Sequence, residues 1–136
     1  MSNQPLRLVV VTPETTLLDE PVDSLRFPLA DGSIGILPGR APLVGRLGVG
    51  ELLIHAKGTE QRFFIEGGFV QVKAGVVSLL TERAIRPDQI NAQQVQQHLA
   101  QLAPKVTHND SEYAAKQREQ ERDRKMLEMV QAGTGH

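Results

Sequence analysis

Five glycines and two prolines crowd the stretch GILPGRAPLVGRLGVGE, residues 35–51. Glycine at that density can let a backbone close around a phosphate. Gly45, Gly48 and Gly50 give the spacing G-x-x-G-x-G, whereas a dinucleotide site needs G-x-G-x-x-G opening a helix. Here the glycines lead into ELLIHAK, which reads as a strand, and the stretch has no G-K-[ST] to make a P-loop. The glycines are therefore expected to make turns of a β-domain. The other chemistry-bearing residues are equally scattered. No serine sits in G-x-S-x-G, and His55, His98, His108 and His136 lack the i, i+4 or Cys-flanked spacing of metal sites. They read as surface or strand-face residues. Glu51, Glu66 and Glu82 are single acids with no spacing that marks a catalytic pair. The chain has no Cys, which removes disulfides, thiol catalysis and Cys-ligated zinc and agrees with a reducing compartment. Nothing supports an enzyme.

Composition narrows the partners. Fifteen basic residues against sixteen acidic ones, with 4% aromatics and no Trp, leave neither the basic footprint nor the stacking surface of a nucleic-acid binder. The apolar run in MSNQPLRLVVVTPE is too short to span a bilayer and no basic segment precedes it. A cytosolic chain without direct membrane insertion is expected, any membrane association being through another protein. The core must be aliphatic, with Phe27, Phe63, Phe64 and Phe69 as its few large pieces.

At 136 residues the chain suits one domain, or a small domain with an appendage. Ten of its twelve glycines lie between Gly32 and Gly75 and none between Val76 and Ala132, which predicts strands and then helices. The division falls at Pro87, giving domains at 1–87 and 88–136. Before it, LRLVVV, DSLRFPL, GELLIHAK, RFFIEGGFVQV and GVVSLLTE are short apolar or β-branched runs between turn signals. Leu25, Phe27 and Leu29 alternate with Arg26 and Pro28, and Val70 and Val72 with Gln71 and Lys73, the period of half-buried strands. Such a series reads as a sandwich or barrel.

After Pro87 the period becomes helical. Asp88 is placed to cap a first helix whose face carries Ile90, Val95, Leu99 and Leu102, and Pro104 stops it. Asn109, with Glu112 three residues on, predicts a capping box for a second helix ending at Gly133. The short linker PKVTHND folds the two back as an antiparallel hairpin. From Lys116 to Lys125 the second helix reads KQREQERDRK, so its central turns offer no apolar side chain to a partner helix. Glu112 with Lys116, and Glu121 with Lys125, are spaced for i, i+4 ion pairs. On its own terms this charge run is a solvated helix face.

Two segments, VVTPETTLLDEPVDSLRFPLADGSIGILPGRAPLVGRLGVGEL (10–52) and FFIEGGFVQVKAGVVSLLTERAI (64–85), resemble the epsilon subunit of the F-type, proton-translocating ATP synthase, named delta in mitochondria. The acid-Gly, G-I-L-P-G, A-P-L and G-G-F elements occur together and in the family's order; the helical part is similar in layout more than in letters. The resemblance implies an α+β chain: an N-terminal antiparallel β-sandwich of about ten strands, then a C-terminal antiparallel two-helix hairpin. It implies a non-catalytic rotor subunit of the central stalk, coupling rotation of the c-ring to the gamma subunit and the catalytic head in ATP synthesis and proton transport. As implied contacts toward c-ring and gamma it offers Asp31, Gly32, Ser33 and Arg40. Arg40 stands where the family commonly has His, and Ser33 where a larger polar or acidic residue is frequent. The hairpin of bacterial members can extend into the head and restrain ATP hydrolysis. Arg118, Arg122, Arg124 and Lys125 would then meet acidic segments of the beta subunit, making alpha and beta conditional partners. Some members bind ATP through [IL]-D-x-x-R-A. Here INAQQV, residues 90–95, has Asn91, Gln94 and Val95 at the distinguishing positions, so no cofactor and no tight ATP binding by the isolated subunit are expected. The implied location is peripheral, on the cytoplasmic face of a bacterial plasma membrane, or the thylakoid membrane in a photosynthetic cell. The alternative is a free-standing β-sandwich adaptor whose helical tail binds an unrelated protein.

Overall fold

The computed structural model describes residues 6–133, with side chains to residue 130; His136 and residues 1–5 lie outside them. Ten strands come first: β1 (Leu6–Thr12), β2 (Thr15–Val22), β3 (Ser24–Leu29), β4 (Gly32–Ile36), β5 (Leu43–Arg46), β6 (Val49–Ala56), β7 (Thr59–Glu66), β8 (Phe69–Lys73), β9 (Val76–Leu80) and β10 (Ala84–Ile85). They form two five-stranded sheets, in the orders β2-β1-β9-β8-β5 and β10-β7-β6-β3-β4. Pairing is antiparallel except between β1 and β9, which run parallel with Val11 opposite Leu80.

The alternation read from the sequence sets the core. From the first sheet Leu8, Val10, Val70, Val72, Val77 and Leu79 turn inward, and from the second Leu25, Phe27, Leu52, Ile54, Phe63 and Ile65 meet them. Each such buried side chain contributes roughly 1.5–3 kcal/mol. Phe27 and Phe63 are the large core pieces. Of the other two phenylalanines, only Phe69 departs from the expectation. Phe64 is buried but projects from the face of β7 opposite Phe63. Phe69, with Gln71 and Lys73, lies on the outer face of β8 and is 56% exposed.

The glycine-rich stretch joins the two sheets. It leaves β4, arches through 37–42, forms β5 in the other sheet and returns to β6. At the return, Leu47 bridges Leu29 across the sheets, and a Cβ on Gly48 would stand 2.5 Å from the Leu29 carbonyl oxygen. Close backbone approach, rather than phosphate binding, is what requires glycine there.

The chain divides into two compact units between Ile85 and Arg86. In the second, Pro87–Gln89 form a 3-10 turn, and α1 (Ala92–Leu102) and α2 (Asp110–Gly133) come after it. Asp88 does not cap α1. It is spent in the 3-10 turn, Ile90 is extended outside the helix, and Asn91 takes the cap, its Oδ1 accepting from the Gln94 N–H at 3.1 Å. The cap of α2 is the one expected. Asn109 Oδ1 accepts from the Glu112 N–H at 2.8 Å, and Glu112 Oε1 reaches back to the His108 N–H at 3.0 Å.

Neither predicted i, i+4 pair forms among the described residues. Glu112 is committed to the cap, and Lys116 Nζ donates to the carbonyls of Ala103 and Lys105, at 3.0 and 2.9 Å. Carbonyls at a helix C-terminus have no partner within the helix and draw cations. Among the described residues no ion pair joins Glu121 to Lys125. With His98 against Asp123 and Ala103 against Lys116, residue numbers rise on one helix as they fall on the other, so α1 and α2 are antiparallel.

Candidate functional site

Among the described residues no group of three or more His, Cys, Asp or Glu is placed to hold a metal. On the sandwich, the outer faces of the two sheets carry different side chains. The second sheet carries charged pairs there, Arg62 with Glu51 and His55 with Glu60 at 3.7 Å. The first sheet has one such pair, Arg7 with Asp19 at 2.7 Å on β1 and β2, and beside it a row of cross-strand neighbours, Arg46, Phe69, Leu80 and Val11, contributed by β5, β8, β9 and β1. Phe69 and Leu80 are 56% and 51% exposed, and the Arg46 guanidinium lies 5.9 Å from the Phe69 ring centroid. Val44 and Val76 extend the apolar surface along β5 and β9. Between Val11, Pro13, Phe69 and Leu80 runs a groove of about 440 Å³. Grouped aromatic and aliphatic side chains with a cation at the edge have the composition of a protein interface.

Sequence reasoning passes over this row, although its signal is present. If Val70 and Val72 point inward, period two sends Phe69 outward with Gln71 and Lys73.

The four sandwich residues implied as contacts do not form one patch. Asp31, Gly32 and Ser33 lie at the exposed tip of the β3–β4 hairpin, where Ala30 and Asp31 make the turn. Arg40 is exposed in the arch beyond the other end of β4. Five residues of strand, about 13 Å, separate the tip from the start of that arch. On α2, Arg118, Arg122 and Lys125 follow i, i+4, i+7 and share a stripe, while Arg124 stands about 120° around the helix. Arg118 and Arg124 are exposed. Arg122 is already engaged within the hairpin, with Nε 3.3 Å from Asp123 Oδ1 and a terminal nitrogen 4.0 Å from Glu119 Oε1.

The polar middle of α2 is not a solvated face throughout. Gln120 and Asp123 are buried, Asp123 to 3% exposure. His98 of α1 brings Nδ1 to 2.5 Å from Asp123 Oδ2 and Nε2 to 3.8 Å from Glu119 Oε1. The cross-helix partner of the charge run is thus a histidine that carries no signal in its own helix and reads from sequence as a surface residue.

The sandwich carries the comparison with known proteins. Residues 5–87 match the sequence model of the family "ATP synthase, Delta/Epsilon chain, beta-sandwich domain". The chain is 44% identical over 96 residues to the ATP synthase epsilon chain of Rhodopirellula baltica, covering 71% of this chain and 75% of that one. It is 38% identical over 111 residues to that of Leptospira interrogans, covering 82% and 87%. Among solved structures, it superposes on a chain of the Euglena gracilis mitochondrial ATP synthase OSCP/F1/c-ring assembly with a TM-score of 0.80 and 22% identity, over 96% of this chain and 81% of that one. A chain of the Tetrahymena thermophila mitochondrial ATP synthase central stalk and c-ring gives a TM-score of 0.76 at 15% identity, over 96% and 99%. At these identities the structures speak for the fold, and the sequence matches speak for descent. An exposed apolar row on a ten-strand sandwich is in keeping with a subunit that works by contact, and on the matched sequence the chain belongs to the ATP synthase delta/epsilon chain family.

Proposed function

We propose that this chain is a non-catalytic central-stalk subunit of an F-type ATP synthase, coupling rotation of a c-ring to gamma and the catalytic head. The observation that carries the reading is the family match across the sandwich, and the exposed Arg46–Phe69–Leu80–Val11 row supports it by offering a surface suited to a permanent partner. Gamma and the c-ring are the partners proposed for the sandwich, with Asp31, Gly32 and Ser33 at one end and Arg40 at the other as polar contacts on separate surfaces. No helix in the described residues is long and apolar enough to cross a membrane, and the proposed location is peripheral, on the cytoplasmic face. Co-purification of the full chain with gamma and c subunits from membranes is the expected result. Recovery free of both would favour the adaptor reading instead.

For the hairpin we propose a restraint on ATP hydrolysis, exerted when α2 meets acidic segments of beta through Arg118, Arg122, Arg124 and Lys125. A helix whose central turns are polar loses little apolar burial on leaving its partner. Removing residues 88–136 is expected to raise the hydrolysis rate of the assembled complex severalfold while leaving assembly intact. An unchanged rate would remove the inhibitory role. Asn91 and Gln94 stand where a phosphate-gripping site would need charge, and Asn91 is already occupied as the α1 cap. Calorimetry of the isolated chain with ATP is accordingly expected to show no tight binding; a micromolar affinity would overturn this.

A further inference from the structure

We propose that His98 and Asp123 form a polar latch that decides whether α1 stays closed on α2. Along most helix pairs an apolar seam does this work. Here α2 has no apolar residue from Lys116 to Lys125, and the buried apolar side chains of the two helices, Leu102, Met126 and Met129, lie outside that segment; α1 nonetheless lies against it, and Asp123, at 3% exposure, is the most buried residue in it. Its carboxylate has two described partners. Arg122 Nε is 3.3 Å from one oxygen and belongs to the same helix; His98 Nδ1 is 2.5 Å from the other and is the contact that crosses to α1. Glu119, from the next turn of α2, flanks the second ring nitrogen at 3.8 Å.

A buried carboxylate is tolerated only while paired, and removing one partner of such a pair costs far more than the pair contributes net. The closed hairpin therefore depends on His98 in a way that an apolar seam would not. Opening hands the same groups to water, which compensates them, so the closed state is separable. Lys116, bound to the carbonyls of Ala103 and Lys105, ties the linker end of the pair. The latch deepens the regulatory reading of the hairpin, and only its effect on hydrolysis rests on that reading.

The test uses the full chain, which has no native cysteine, with spin labels at the exposed positions Gln93→Cys and Glu128→Cys. The labelled but otherwise unchanged chain is expected to give one short inter-label distance. His98→Ala, which leaves the buried Asp123 carboxylate with Arg122 as its one described side-chain partner, should add a longer population and raise the open-to-closed ratio about tenfold; Asp123→Ala, which strands only the partly exposed His98, should raise it by less. Replacing both residues at once, H98L with D123L, removes the buried charge and supplies an apolar seam, and should restore the single short distance. Unchanged distances in the single variants, or a double variant as open as either single one, would overturn the latch. Hydrolysis by complexes assembled with the same variants separates the two ideas: distances that change without any change in rate uphold the latch and remove its regulatory consequence.

Discussion

Replacing Gly68 with alanine is expected to destabilise the sandwich by about 4 kcal/mol or more, at the severe end of single substitutions. Two independent penalties meet at this residue. Its φ of +109° is one that L side chains rarely adopt, and an added Cβ would lie 1.8 Å from the Leu80 carbonyl oxygen and 2.9 Å from the Thr81 Cα. Both neighbours are backbone, and Leu80 is held in register with Phe69 and with Val11. Relief therefore requires β8 and β9 to separate where β5 also joins, since the Leu47 N–H donates to the Gly68 carbonyl at 2.9 Å. Gly67 provides the control: φ is +66° and a Cβ there meets nothing within 4 Å, so alanine costs only the left-handed strain of about 1–2 kcal/mol. Denaturant unfolding of the two variants should show a small shift for Gly67→Ala and loss of most or all of the transition for Gly68→Ala, given a total stability of about 5–15 kcal/mol. Equal midpoints would refute the clash.

The same pair of glycines shows what the sequence could and could not disclose. That G-G divides RFFIEGGFVQV into two strands is legible from composition, because both residues favour turns. That one is replaceable and the other is not depends on Leu80, twelve residues further on, and no local pattern carries it. The helices divide likewise. Asn109 and Glu112 announce their cap because every partner lies within four residues. Asp88 misleads because both it and Asn91 are capable of capping, and Pro87 favours a tight turn that consumes the first of them. His98 is invisible as a partner of Asp123 because the contact spans 25 positions between a neutral helix and a charged one. For the contact residues the resemblance supplies names without geometry, and Ser33 and Arg40 prove to stand toward opposite ends of one strand.

The second large effect is expected on the outer face of the first sheet. Phe69→Ser together with Leu80→Ser should leave the fold essentially intact while weakening binding to the rest of the stalk by about a hundredfold, the loss typical of truncating central interface residues. Neither side chain contributes to the core: both are more than half exposed, and the inward neighbours Val70 and Leu79 remain. Burial of that exposed surface is therefore still available to a partner, with the Arg46 guanidinium 5.9 Å from the Phe69 ring centroid at its edge. The measurement pairs an unfolding curve with the affinity of the variant chain for the remaining stalk complex. Phe27→Ala gives the contrasting control, since Phe27 is fully buried between the sheets and its truncation should cost about 3–5 kcal/mol of stability. A Phe69, Leu80 variant that unfolds like the parent and binds like it would show that the apolar row faces solvent in the assembly, and would shift the sandwich's docking role to the hairpin tip at Asp31–Ser33 or to the arch at Arg40.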